Sequence, residues 1–217
     1  MAETVVRARS PIEPPPPVVV VAGWEVSARR SSAELTITDH TPLAKVAVKA
    51  TWDGPVAETL GVRFGHARRQ EWPTGESSGS VLVTASAPGE WLVLAPPAAR
   101  ASLVTWLEKT TENADELVSV IDLTHGRALM RIAGASSADL LAKECGLDLS
   151  EASCPDGSAL RSAVAGVAAD LIRDDLGGIR SYLVHCERSA GQYLSSSLLD
   201  AGLEFGVEVA GFELPGI

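Results

Sequence analysis

Residues 90–109, EWLVLAPPAARASLVTWLEK, and residues 181–202, SYLVHCERSAGQYLSSSLLDAG, follow one plan. Each opens on an apolar run led by an aromatic residue, passes through a short polar turn, and continues as an amphipathic segment. In the first, Ala99, Leu103, Trp106 and Thr110 recur at spacings of four, three and four, which predicts one face of a helix over about 98–112. In the second, Leu194, Leu198, Ala201 and Phe205 form the stripe of a helix over about 189–205 that stops at Gly206. A strand-turn-helix unit that occurs twice predicts two related half-domains, residues 39–117 and 118–217.

Further strands are expected outward from these units. The runs 81–86 (VLVTAS), 118–123 (VSVIDL), 127–133 (RALMRIA), 158–165, 167–173, 179–186 and 207–213 (VEVAGFE) are apolar or alternating. Glycine-bearing breaks separate several of them: Pro88-Gly89, Gly134, Gly157, Gly166 and Gly177-Gly178. Ser136, with Asp139 three residues later, approximates a capping box and predicts a short helix with Ala138, Leu141 and Cys145 on one face. Strands and helices mix without strict alternation. That predicts an α+β fold with mainly antiparallel sheets and flanking helices, not a doubly wound parallel sheet.

Residues 1–38 look different and are expected to be a flexible or partner-bound N-terminal tail, with the folded region 39–217 after it. Pro14–Pro17 is a stiff polyproline run, and Arg29, Arg30, Ser31 and Ser32 make a polar hinge. Val18–Val21 and Trp24 gain little in water, so they would anchor such an arm on a partner subunit. Trp52 and Trp72 flank polar segments and would either face a partner or pack over the seam between the half-domains. On this reading, removing residues 1–38 weakens association and leaves the fold intact.

Charge narrows the function classes. The chain of 217 residues carries 28 Asp+Glu against 18 Lys+Arg, a net charge of −10. Nucleic acid or an anionic membrane as main partner would need clustered Lys and Arg. No apolar run reaches the roughly 20 residues of a spanning helix, and MAETVVRARSPIEPPPP has no apolar core of a secretory leader, so the expected location is cytoplasmic. Cys145, Cys154 and Cys186 include no Cys-x-x-Cys pair and read as small buried thiols, with no metal site.

No catalytic set assembles from the residues alone. There is no glycine-rich phosphate loop, no Gly-x-Ser-x-Gly elbow and no His-Glu-x-x-His. The four histidines, His40, His66, His125 and His185, are scattered. His185 adjoins Cys186, but neighbours on a strand point to opposite faces. Asp174-Asp175 reads as a turn. Asp170 sits inside the apolar strand VAADLIR, where solvent exposure is the default and burial with a raised pKa the alternative.

The stretch 121–134, IDLTHGRALMRIAG, resembles the Asp-Val-Ser-His motif and glycine-ended strand of the glycine-cleavage aminomethyltransferase (T-protein) folate-binding superfamily. The resemblance continues through SSADLLAKECGLDL and GSALRSAVAGVAADLIR, the latter matching the family's Asp-Asp-Leu-Ile strand. SAPGEWLVLAPP and the closing strand-helix unit are similar, more narrowly, to the gamma subunit of heterotetrameric sarcosine oxidase. The similarity covers roughly residues 40–213. It implies the T-protein-like folate-domain fold without the family's C-terminal barrel.

The resemblance also implies a function. The expected protein is a non-catalytic assembly subunit, gamma, of the complex that oxidatively demethylates sarcosine to glycine, with peroxide and 5,10-methylenetetrahydrofolate as co-products. Its partners would be the alpha, beta and delta subunits. FAD, FMN, NAD, tetrahydrofolate and zinc would all lie in those partners and none in this chain. Asp122, His125, Asp148, Ala169 and Asp170 would be vestigial folate-motif positions. Aligning Leu171-Ile172 with the family's Leu-Ile puts Ala169 where the family has its folate-contacting acid, and a methyl group cannot hydrogen-bond a pterin. Asp122 and His125 are expected to be structural, with the His125 ring hydrogen-bonded to backbone or to the Asp122 carboxylate. The alternative is a freestanding tetrahydrofolate-dependent aminomethyltransferase-like or folate-binding protein, motivated by the retained Asp122, His125, Asp148 and Asp170.

Overall fold

The computed structural model describes residues 7–74 and 77–217. Its elements run in chain order as β1 (Ala8–Arg9), β2 (Val18–Val21), β3 (Trp24–Ser27), β4 (Leu35–Asp39), β5 (Ala44–Lys49), α1 (Pro55–Leu60), β6 (Ala67–Thr74), β7 (Ser77–Ala87), β8 (Glu90–Ala95), α2 (Arg100–Thr111), β9 (Ser119–Asp122), β10 (Arg127–Gly134), α3 (Ser137–Glu144), β11 (Ala159–Val164), β12 (Val167–Arg173), β13 (Ser181–Glu187), α4 (Gly191–Gly202) and β14 (Glu208–Ala210). A five-stranded sheet has the order β6-β7-β8-β5-β9, and a six-stranded sheet the order β11-β12-β13-β10-β4-β14. A small third sheet, β1-β3-β2, comes from the N-terminal residues. Only β1–β3 and β4–β14 pair in parallel among the described strands. The fold is α+β and mainly antiparallel, as the mixed pattern of strands and helices requires.

The period-2 alternation of the strands sorts the apolar residues into three cores. Val81, Val83 and Val93 pack with Val46 and Val48 under Leu103 and Leu107 of α2 and Val56 and Leu60 of α1. Met130, Ile132, Tyr182 and Val184 pack under Leu140 and Leu141 of α3 and Leu194 and Leu198 of α4. The intervening residues, Leu82, Leu92, Leu94, Leu129, Ile172 and Leu183, meet between the two sheets with Leu43, Trp24, Val26 and Phe212. Each sheet is therefore covered by helices outside and by the other sheet inside. The α2 face is set one residue on from the spacing-based reading: Leu103, Leu107 and Thr111 are buried. Trp106 instead stacks edge-on against Trp72 at 5.3 Å.

Two expectations about organisation change. Residues 8–38 are not a detached tail, because Trp24 and Val26 fill the inter-sheet core and Leu35 and Ile37 lie in the core under α3 and α4. Their burial gains more here than at a distant surface. The boundary at 117/118 is also crossed by strands. β9 pairs with β5, and β4 pairs with β10. Each half thus completes its sheet with a strand from across the boundary. Of the tryptophans proposed for a partner, Trp72 is buried in the core under α2, while Trp52 is 65% exposed. The three cysteines are free, with Cys154 and Cys186 buried.

Gly134 closes β10 where β4 passes. Its φ of +139° is outside the range of ordinary side chains, and a Cβ there would collide with the Glu34 carbonyl oxygen. The glycine that ends the motif strand is thus demanded by close strand approach. No helix in the described residues is long and apolar enough to cross a membrane.

Candidate functional site: a polar cavity at one end of the inter-sheet seam

Along the seam the inward residues change character at one end. Leu82 gives way to Thr84 and Ser86 on β7, Ile172 to Asp170 on β12, and Leu183 to His185 and Glu187 on β13. Around them lies a cavity of about 340 Å³, which Lys49, Glu90, Arg127 and Arg161 also line.

Its charges form a chain of pairs. Arg161 Nε donates to Asp170 Oδ1 at 2.6 Å and Nη2 donates to Oδ2 at 3.3 Å. Arg161 Nη1 donates to Glu90 Oε2 at 2.7 Å, and Lys49 Nζ donates to Glu90 Oε1 at 2.7 Å. His185 Nδ1 lies 3.4 Å from Asp170 Oδ2, and Arg127 pairs with Glu187. Asp170 is buried, so the solvent-facing default is wrong. Burial alone would raise its pKa, but hydrogen bonds from His185 and Arg161 outweigh burial and hold it below the usual carboxylate range. The alternative, burial with a raised pKa, holds for the burial and not for the direction of the shift. Burial lowers the His185 pKa, with Asp170 only partly opposing it. An ionised Asp170 can only accept, so the neutral imidazole carries its proton on Nδ1 and leaves Nε2 as a bare acceptor. That Nε2, Thr84 Oγ1 and Ser86 Oγ are buried without a partner.

Ala169 does not face this cavity with its side chain. It packs with Leu171 in the core under the helices, while Asp170 faces the seam. By this alternation the position aligned with the family's acid turns away from the cavity, and the next residue, Asp170, presents a carboxylate to it. The residues do not fit a pterin held by a free acid. Both Asp170 oxygens already accept hydrogen bonds within the chain, and a carboxyl held low is poorly matched to proton transfer near neutral pH.

The remaining motif residues lie elsewhere. Asp122 accepts from Arg100 Nε at 2.5 Å and from the Thr124 backbone N–H at 2.9 Å. His125 stacks on Trp24, with ring centroids 4.9 Å apart, an aromatic contact in place of the expected hydrogen bond to backbone or to the Asp122 carboxylate. Asp148 accepts from the Ser150 N–H at 3.0 Å and Ser153 Oγ at 2.6 Å, which makes it a turn residue. The structure brings together none of Asp122, His125 and Asp148 with Asp170. Thr84, Ser86, Arg161, Glu90 and His185 are the site residues that motif reading missed. The signal for Thr84, Ser86 and His185 was the apolar-to-polar switch at alternate strand positions, while Glu90 on β8 and Arg161 on β11 had none. Among the described residues, no three His, Cys, Asp or Glu side chains gather as a metal set.

No curated protein matches the chain's sequence. The fold is similar to that of glycine cleavage system aminomethyltransferase T from Bartonella henselae, with a TM-score of 0.69 and 17% identity over 92% of this chain and 56% of that one. This chain thus spans little more than half of that protein's length. The fold is also similar to a chain of heterotetrameric sarcosine oxidase from Corynebacterium sp. U-96, with a TM-score of 0.62 and 23% identity over 83% of this chain and 90% of that one. Residues 72–214 match the family described as the GCVT N-terminal domain. The match takes in the Asp170–His185 pair and three of the four helices, and by it the chain belongs to the GCVT N-terminal domain family.

Proposed function

We propose that this protein is a gamma-type subunit of a heterotetrameric sarcosine oxidase, serving assembly and not catalysis. The observation that carries the reading is the state of Asp170. The seam's candidate acid is tied to Arg161 and His185 and held ionised, so Asp170 is not free to serve a substrate as a general acid. The likeness of the fold to a chain of heterotetrameric sarcosine oxidase, 23% identical over 83% of this chain, supports it. In this reading the flavins, NAD, tetrahydrofolate and zinc are held by alpha, beta and delta partners in the cytoplasm. The complex converts sarcosine to glycine, and this chain contributes packing surface. Co-purification of the tagged chain from its native cells tests the proposal. Flavin absorbance in the eluate and sarcosine-dependent peroxide formation are expected, and a chain that elutes alone rejects it.

A second reading is favoured by one observation. Thr84 Oγ1, Ser86 Oγ and His185 Nε2 are unpartnered around a single cavity, as a folate-binding protein would leave them for its ligand. Calorimetry with tetrahydrofolate decides between the two: micromolar binding by the isolated chain establishes the second reading, and no heat supports the first.

A further inference from the structure

The opposite end of the seam carries a second polar cavity, of about 620 Å³, with a different composition. Arg131 of β10, 4% exposed, projects there from the inward face of the six-stranded sheet. It donates Nη1 to Ser181 Oγ at 2.6 Å and to the Asp174 carbonyl at 3.0 Å, and Nη2 to Asp174 Oδ2 at 2.7 Å. Its Nε has no acceptor. Arg69 shares the same carboxylate, with Nε to Oδ1 at 2.8 Å and Nη2 to Oδ2 at 2.6 Å. One carboxylate therefore serves two guanidinium groups, and one of these is buried with an unused N–H.

Two more cations complete the rim. Arg29 and Arg30 both line the cavity, and neither forms an ion pair among the described residues. His40 also lines it. Its Nδ1 is buried without a partner, and burial pushes its pKa down to about 3, so it stands as a neutral group. Glu213 lies on the same rim, yet its carboxylate reaches no guanidinium as an ion pair among the described residues. In a chain with a net charge of −10, two arginines without a carboxylate partner among the described residues, beside two that share one, leave this cavity rich in guanidinium groups. Planar guanidinium forks match the tetrahedral oxygens of phosphate, and a dianion gains more from several of them than a carboxylate does.

The geometry points to an oxyanion site here, for phosphate or the phosphate group of a small phosphomonoester. Arg131 and Arg69 form its base, Arg29 and Arg30 its rim. Arg131 Nε supplies the buried donor. The neutral His40 Nδ1 suits the single hydroxyl of a monoprotonated phosphate. This site is separate from the Asp170 cavity and does not depend on the oxidase reading.

Thermal unfolding of the full chain tests it, in inorganic phosphate, phenyl phosphate, acetate and potassium chloride at matched ionic strength. Millimolar inorganic phosphate or phenyl phosphate should raise Tm, while acetate and chloride should not. A larger effect of phenyl phosphate identifies an ester as the preferred occupant, and an equal effect identifies free phosphate. Arg29→Gln with Arg30→Gln, on an irregular exposed segment, should leave the unliganded Tm unchanged and weaken phosphate binding about tenfold. Equal shifts in all four salts, no shift in either phosphate, or phosphate binding indifferent to the double substitution overturn the proposal.

Discussion

At the scale of single residues, two buried ionisable groups contribute to the pH dependence of stability at opposite ends of the pH range. Lys45 is fully buried in β5 and donates Nζ to the carbonyls of Thr41 at 2.6 Å and Leu43 at 2.8 Å. A neutral amine has two N–H groups, enough for both. Burial pushes its pKa down to about 7 from 10.5, with Asp39 and Asp122 only partly opposing it. Between those two values the unfolded chain binds more protons than the folded one, so stability rises as pH increases from 7 towards 10. Denaturant titrations over that range should show a rise on the order of a few kcal/mol in the native protein and a flattened one in Lys45→Met. Asp170 acts at the other end of the scale. Its folded pKa is depressed, so its contribution is present above the unfolded value near 3.9 and lost as pH falls through the folded one. Asp170→Asn should cost about 2 kcal/mol at neutral pH, because Arg161 and His185 lose a buried acceptor. The gap between variant and native protein should narrow below about pH 4.

At the scale of elements, the N-terminal strands bear the clearest prediction. β4 pairs with both β10 and the edge strand β14 of the six-stranded sheet, and β3 carries Trp24 and Val26 into the seam. Deleting residues 1–38 should therefore abolish cooperative unfolding and expose apolar surface. It should not merely weaken association, because the buried Trp24, Val26, Leu35 and Ile37 are each worth roughly 1.5–3 kcal/mol. Circular dichroism and dye binding of the truncated chain check this, and an unchanged spectrum with a sharp melt would contradict it. These strands were hard to read because VVVV at 18–21 and LTIT at 35–38 are short and sit among prolines, arginines and serines. The partners of residues 35–38, β10 and β14, lie far along the chain, while residues 18–21 pair with the neighbouring β3. The strand-helix units were legible because period 3.6 and period 2 alternate there over a dozen residues without interruption.

For the whole molecule, the exchange of β4 and β9 between the halves makes the two sheets interdependent. Neither sheet is complete without a strand from across residues 117/118, and the seam core draws on both. Calorimetry of the full chain should show one transition, with calorimetric and van't Hoff enthalpies in agreement. Two resolved transitions would mean that the halves fold as separate units.

Sequence by itself determined the fold class and the position of the motif strand. Alternation and glycine breaks are local, and a strand or helix expresses them wherever it lands. It also carried the family, through IDLTHGRALMRIAG and VAADLIR. Only the tertiary structure decided which residues meet. Asp170 and His185 pair across neighbouring strands through a register no local pattern encodes, and the same register turns Ala169 towards the helices. Asp122, His125 and Asp148 are engaged by Arg100, Trp24 and Ser153, none of which lies in the motif stretch 121–134. Arg29, Arg69 and Arg131 stand about 40 to 60 residues apart in the chain and converge on one cavity only because two sheets close face to face. Packing and charge pairing act through space, and the order of residues along the chain specifies them only once the sheets have formed.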